Sequence, residues 1–211
     1  MATTFTLTAP DGTDRTAQVS GFAEMIGLDH AAPGRCSLLL TLGLFGGFKS
    51  GHVDPAKVVH EIRALERVGR PSQLKPPIQN KHPPLKGLWH KHYQETGLRS
   101  MALNLRMAMQ QYGLPAFEAK VAEALEAGEE RYMTEEDVKL ISHDAVVGNF
   151  LRRANDQSLT GEWLIYARHD GQNYYLALAT HDVQTHAYVR RQIEAICFQE
   201  FPFLAEMLAA A

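Results

Sequence analysis

Two groups of polar side chains in this 211-residue chain have the residue types that acid–base chemistry requires. The first group lies near the C-terminus, where Glu162 and His181 flank a predicted β-hairpin. Asp170-Gly171 is a strong signal for a two-residue hairpin turn, and pairing outward from that turn makes Glu162 and His181 diagonal neighbours on one face. Because histidine titrates near neutral pH and a carboxylate can orient it, this pair predicts a general base and acid.

The same predicted face of the hairpin carries Tyr166, Arg168 and Tyr175. The tyrosines have rings that can stack on bases and hydroxyls that can donate to phosphate oxygens, and the guanidinium can hold a phosphate. We therefore interpret these three side chains as substrate-binding. The competing interpretation is a partly exposed sheet face whose tyrosine and arginine stems cover neighbouring side chains.

The second group is the run from Lys86 to Tyr93, which contains Lys86, His90, Lys91 and His92. We predict that this run begins a helix over about 88–112. If that helix packs against the hairpin, it brings His90, His92 and Lys86 beside His181 as further catalytic groups, with Lys91 binding substrate. Two histidines and a lysine suffice to cleave RNA without a metal ion. Since His-x-His diverges on a helix and no other ligand has suitable spacing, we predict no metal site and no cofactor.

Local patterns predict an α+β fold with a helical middle section, an antiparallel hairpin near the C-terminus and a closing C-terminal helix. Residues 5–19 are predicted to form a hairpin, and the apolar run 36–48 a buried strand-like segment. Asp54, Thr134 and Asp182 are predicted helix caps. The predicted helices are 55–68, 88–112, 115–127, 134–154 and one after Asp182.

Five prolines between positions 71 and 85 predict an irregular connector over 71–86. The connector separates an N-terminal α+β part, 1–70, from a helical and hairpin part, 87–211. The two parts can also form one compact domain, because 211 residues suit either arrangement.

The charge is unevenly distributed along the chain. Residues 57–106 hold ten basic and three acidic residues, a net charge of +7, whereas the remainder holds eleven basic and twenty-one acidic residues, a net charge of -10. A local basic surface attracts phosphates. The alternative is that this segment simply pairs with the acidic stretch 118–137.

Several classes of protein are excluded by what the sequence lacks. Two cysteines, Cys36 and Cys197, exclude a disulfide framework and a four-cysteine zinc site. Glycine-rich dinucleotide and phosphate loops are absent from the sequence.

No secretory signal or membrane-spanning run is visible, so we expect a cytoplasmic protein with no membrane partner. An effector injected into another cell would have the same features.

The segment Gly161 to Arg168, the strand Tyr174 to His181 and the closing helix together resemble the small bacterial ribonuclease toxins of the barnase, colicin E5, colicin D and RelE group. About 25 residues carry this architectural resemblance. It implies metal-independent RNA cleavage.

The leading hypothesis is therefore a metal-independent ribonuclease-like protein, a toxin or effector with RNA as its partner. The main alternative is a non-enzymatic immunity, adaptor or antitoxin-like protein that binds a cognate protein partner. A third is an enzyme that uses the same pocket on a nucleotide.

Overall fold

The structure is a computed structural model that describes residues 5–94 and 97–210. Its α+β architecture is as predicted. An antiparallel four-stranded sheet follows the order of the chain, β1-β2-β3-β4. The strands are Ile78–Gln79 (β1), Trp89–Tyr93 (β2), Glu162–His169 (β3) and Gln172–Ala179 (β4).

The predicted hairpin is the β3–β4 pair. Asp170 and Gly171 have φ angles of 49° and 74°, which is the positive-φ geometry that favours Asp-Gly in tight hairpin turns. Arg168 pairs with Asn173 as expected, and Tyr166 pairs with Tyr175. A β-bulge at Ile165/Tyr166 then shifts the register. Pairing counted outward from the Asp170-Gly171 turn would place Leu164 opposite Ala177, whereas beyond the bulge Leu164 pairs with Leu178.

Four helices cover one face of the sheet: Thr16–Met25 (α1), Leu28–Ala31 (α2), Leu38–Lys49 (α3) and Pro55–Leu65 (α4). The predicted α4 is confirmed, with the Asp54 side chain accepting from the Ala56 amide at 3.0 Å. The predicted hairpin strand at 16–19 is wrong, because these residues begin α1. The strand-like segment at 36–48 is wrong from residue 38 onward, where α3 begins, while Cys36 forms an isolated β-bridge with Tyr175. A short apolar run fits a buried helix as well as a buried strand, so periodicity does not separate them.

Ser37 joins α3 to the sheet. Its buried hydroxyl accepts a hydrogen bond from the Leu40 amide at 3.0 Å and donates one to the Leu176 carbonyl at 2.6 Å. Ser37→Ala removes a helix cap and the hydroxyl hydrogen bond to the Leu176 carbonyl, so we expect a loss of about 1–3 kcal/mol in the free energy of unfolding. Urea titration against Ser50→Ala, which changes an exposed hydroxyl, measures the difference. Equal losses in the two variants would contradict this account.

The proline-rich segment is more regular than expected, because β1 lies within it and pairs with β2. The Asn80 amide donates to the Leu88 carbonyl at 2.8 Å and extends this pairing. Leu85 and Leu88 are buried in the core on the second face of the sheet. The segment therefore forms the edge of the sheet.

The predicted helix 88–112 is wrong in its first part. Residues 89–93 form β2, residues 95–96 lie outside the described residues, and the helix covers only Leu98–Tyr112 (α5). The remaining predicted helices of the middle section are present. They are Pro115–Glu126 (α6), Glu135–His143 (α7) with its Thr134 capping box, and Asn149–Asn155 (α8), which a π-helical turn joins to α7.

The closing helices cover the second face of the sheet, as expected for the C-terminal part. The Asp182 side chain accepts from the Gln184 amide at 3.0 Å and begins the first of them. They are Val183–Gln192 (α9), Phe198–Glu200 (α10) and Phe203–Ala209 (α11). Among the described residues, none of the helices combines the length and apolarity needed to cross a membrane.

Candidate active site

A cluster of histidines surrounds Trp163 on the second face of the sheet. His90 and His92 alternate along β2 and therefore share one face. The ring of His90 stacks on Trp163 with centroids 4.0 Å apart, and the rings of His181 and His186 lie 5.2 Å and 4.9 Å from the same indole. We call His90, His92, His181 and His186 the histidine cluster.

The structure places His92 beside His181, with ring centroids 5.3 Å apart, and His90 on the same face of β2. The predicted reason is wrong. Strand pairing brings them together, with His92 opposite Trp163 in the register, rather than a helix packed on the hairpin. His186 was not predicted. The Asp182 cap was the available signal, because it places position 186 one turn into a helix that follows the hairpin directly.

Backbone carbonyls hold two of the four rings in place. Nε2 of His181 lies 2.6 Å from the Gly161 oxygen, and Nε2 of His186 lies 2.9 Å from the Thr180 oxygen. A carbonyl only accepts hydrogen bonds, so Nε2 is the donor in both rings. Nδ1 of neutral His181 is therefore the nitrogen with a lone pair, which is the form a general base needs.

Glu162 and His181 are neighbours as predicted, but the predicted contact between carboxylate and imidazole is wrong. Oε2 of Glu162 accepts a hydrogen bond at 2.8 Å from the backbone amide of His181. Glu162 therefore fixes the backbone that carries His181, while the Gly161 carbonyl orients the ring.

Burial and neighbouring cations keep two imidazoles neutral. Desolvation, followed by the charges of His181, His186 and Lys75, lowers the pKa of His90 to about 4. Desolvation is also the largest cause for His92, whose pKa is lowered to about 3 with contributions from His90, His181, Lys75 and Lys91. Nδ1 of His92 and the indole nitrogen of Trp163 are buried without a hydrogen-bond partner among the described residues.

Tyr166 and Tyr175 do not form an accessible binding face. Both are fully buried on the first face of the sheet, under α1–α4. The Tyr175 hydroxyl donates to Oε1 of Glu66 at 2.6 Å. The predicted substrate-binding roles are wrong, because both faces of this sheet are covered by helices.

Lys91 also lies on the first face, opposite the histidine cluster. Its buried ammonium lies 3.3 Å from Oε2 of Glu61 and donates to the carbonyls of Leu74 and Lys75. The Lys91 ammonium is therefore buried and already paired with groups of the protein itself. The prediction that Lys91 binds substrate is therefore wrong.

The two remaining predicted cations are exposed. The Arg168 guanidinium lies 3.8 Å from the centre of the Trp89 ring and donates to the Tyr166 hydroxyl at 3.1 Å. Lys86 lies in the connection between β1 and β2, with no hydrogen bond or ion pair among the described residues. Lys75, which was not predicted to be a site residue, contributes a positive charge that lowers the pKa of both His90 and His92.

Two cavities lie away from the histidine cluster. One of about 420 Å³ is bounded by α1–α3 and Glu200, and one of about 510 Å³ lies beside α4 with Lys57 and Arg70 in its wall. Within residues 5–94 and 97–210, no group of three or more histidine, cysteine or carboxylate side chains is arranged to hold a metal ion.

Comparison with known proteins gives no match to this chain among family models, curated proteins or solved structures.

Proposed function

We propose that this protein is a metal-independent ribonuclease-like enzyme whose histidine cluster binds and cleaves an RNA phosphodiester. The observation that carries the proposal is that four imidazoles lie close together around Trp163. The positive charge of Lys75 contributes to the lowered pKa of two of them, His90 and His92. Action as a toxin or effector in the cytoplasm of the producing or a recipient cell fits this activity and the resemblance described above.

The cluster is suited to an anion. Neighbouring cations are part of the reason for the low pKa values of His90 and His92. A bound phosphate would oppose that effect, since a nearby negative charge favours the protonated imidazole. Substrate binding would thus raise the pKa of these histidines toward the range in which histidine exchanges protons at neutral pH.

Two histidines carry out the two proton transfers of the proposed reaction. Nδ1 of His181, the most exposed of the four, takes the proton of the ribose 2′-hydroxyl. The freed oxygen attacks phosphorus and forms a 2′,3′-cyclic phosphate as the bond to the 5′-oxygen breaks. His92, protonated when the phosphate binds, donates its proton to that leaving oxygen, and Lys75 stabilises the charged phosphorane.

Replacement of His181 tests the proposal. We expect His181→Gln to slow cleavage of RNA in EDTA about 100-fold or more, because a positioned acid or base contributes roughly that much to a rate. His30→Gln is the matched control, since His30 is exposed on α2. Cleavage rates come from denaturing gels, and circular dichroism checks that each variant is folded. Equal rates for the two variants would remove His181 from the mechanism.

A second candidate is a protein-binding role without catalysis. The observation that favours it is burial, since His90, His92 and His186 are each at most 6% exposed and His90 stacks on Trp163 as core aromatics do. The same assay separates the candidates, because a folded wild-type protein that leaves RNA intact fits the second.

A further inference from the structure

The helical section 98–155 leaves an unusual amount of apolar surface uncovered. Twelve of the eighteen large apolar side chains that are exposed in the described chain lie between Leu98 and Leu151. Helix α6 contains no buried residue at all. Exposed apolar side chains that form one patch mark interaction sites in soluble proteins.

Three of these exposed side chains, Val121, Leu125 and Met133, line a groove of about 290 Å³ beside α6 and α7. Leu125 is 75% exposed, and Met133 is 62% exposed. The apolar residues in the wall of the groove are Phe117, Val121, Ala124, Leu125 and Met133. A groove of this composition fits the apolar side of an amphipathic helix.

The charge around the groove is negative. Residues 115–143 hold eight acidic and three basic residues, a net charge of -5. All three cations are paired inside the segment. The ion pairs are Lys120 with Glu123 at 3.7 Å, Arg131 with Glu129 and Asp137 at 2.5 Å each, and Lys139 with Glu135 at 2.8 Å.

Four carboxylates remain without an ion pair among the described residues: Glu118, Glu126, Glu130 and Glu136. This surface repels nucleic acid and anionic membranes. A second copy docked through the same groove would place two segments of net charge -5 against each other. A partner that complements this groove is a helix with apolar side chains on one side and cationic side chains next to them.

We propose that the groove beside α6 and α7 binds a basic amphipathic helix of another protein. This interaction is separate from the histidine cluster, which lies on the sheet, and it holds whether or not that cluster cleaves RNA.

The probe is a fluorescein-labelled peptide of about 14 residues, long enough for helix formation on a surface, built from leucine and lysine with an apolar side. We expect it to bind the full chain in an anisotropy titration, and to bind less tightly as salt rises. A matched leucine–glutamate peptide should not bind.

Leu125→Gln should weaken binding about tenfold, because the peptide would otherwise bury that side chain. Met25→Gln, an equally exposed site on α1, should bind as wild type does.

Three results would overturn the proposal. The first is equal affinity of the Leu125→Gln and Met25→Gln variants for the leucine–lysine peptide. The second is equally tight binding of the leucine–glutamate peptide. The third is self-association of the wild-type chain in sedimentation that is lost in Leu125→Gln, which would assign the groove to a second copy.

Discussion

Gly161→Ala is expected to lower the free energy of unfolding by more than about 4 kcal/mol, which is at the extreme of single substitutions. An alanine Cβ at this position would lie 2.8 Å from the Tyr93 carbonyl carbon, closer still to its oxygen, and 3.2 Å from Cα of Gln94. All three are backbone atoms where β2 ends beside the start of β3, so no side-chain rotation relieves the clash. The same substitution displaces the carbonyl that orients His181.

Urea titration and circular dichroism measure this loss. Gly21→Ala is the matched control, because Gly21 lies in α1 with open space where its Cβ would be. That control should gain up to about 1 kcal/mol, since alanine favours helix over glycine. Similar midpoints for Gly161→Ala and wild type would show that β2 and β3 do not approach as described.

A second large effect is the dependence of stability on pH. The pKa values of His90 and His92 are about 4 and about 3 in the folded protein, below the ordinary 6.5. Well above pH 6.5 both rings are neutral in the folded and the unfolded state. As the pH falls below 6.5, the unfolded chain binds protons that the folded chain does not, so stability falls, by about 1.4 kcal/mol per pH unit for each histidine. We expect a loss on the order of 3 kcal/mol between pH 6.5 and 5.

Urea titrations at several pH values test this expectation. His92→Gln should remove about half of the slope, whereas His30→Gln should leave it unchanged. Stability that is constant from pH 7 to pH 5 would contradict the burial of the neutral rings.

The sequence predicts those elements whose boundaries depend on local chemistry. Asp170-Gly171 supplies the positive φ angles of the hairpin turn. Asp54, Thr134 and Asp182 each cap the predicted helix with a side-chain oxygen. These signals act within a few residues, so they can be read without knowing the rest of the fold.

The incorrect predictions concern segments whose conformation depends on distant partners. Residues 38–49 are apolar enough for either a buried strand or a buried helix, and they form α3 against β4. Residues 89–93 form a strand because β3 pairs with them along their whole length. Tyr166 and Tyr175 were expected on an open face, but α1–α4 cover that face.

In the candidate site, too, residue types could be recognised from the sequence, whereas contacts between distant segments could not. The sequence marked His90, His92 and His181 as candidates by residue type, but their proximity was expected only from helix packing, whereas strand pairing produces it. His186 and Lys75 join the site through α9 and the proline-rich segment, whose positions depend on the tertiary structure. Glu162 was predicted to orient an imidazole, whereas in the folded protein its carboxylate accepts a hydrogen bond from the backbone amide of His181.

Cleavage of a defined RNA oligonucleotide in EDTA, with analysis of the product ends, is the decisive experiment for the ribonuclease proposal. The account predicts that the wild-type protein forms 2′,3′-cyclic phosphate ends, that a 2′-deoxy substitution at the cleaved position prevents the reaction, and that His181→Gln loses it while His30→Gln keeps it. Intact RNA after incubation with folded wild-type protein would contradict the ribonuclease proposal.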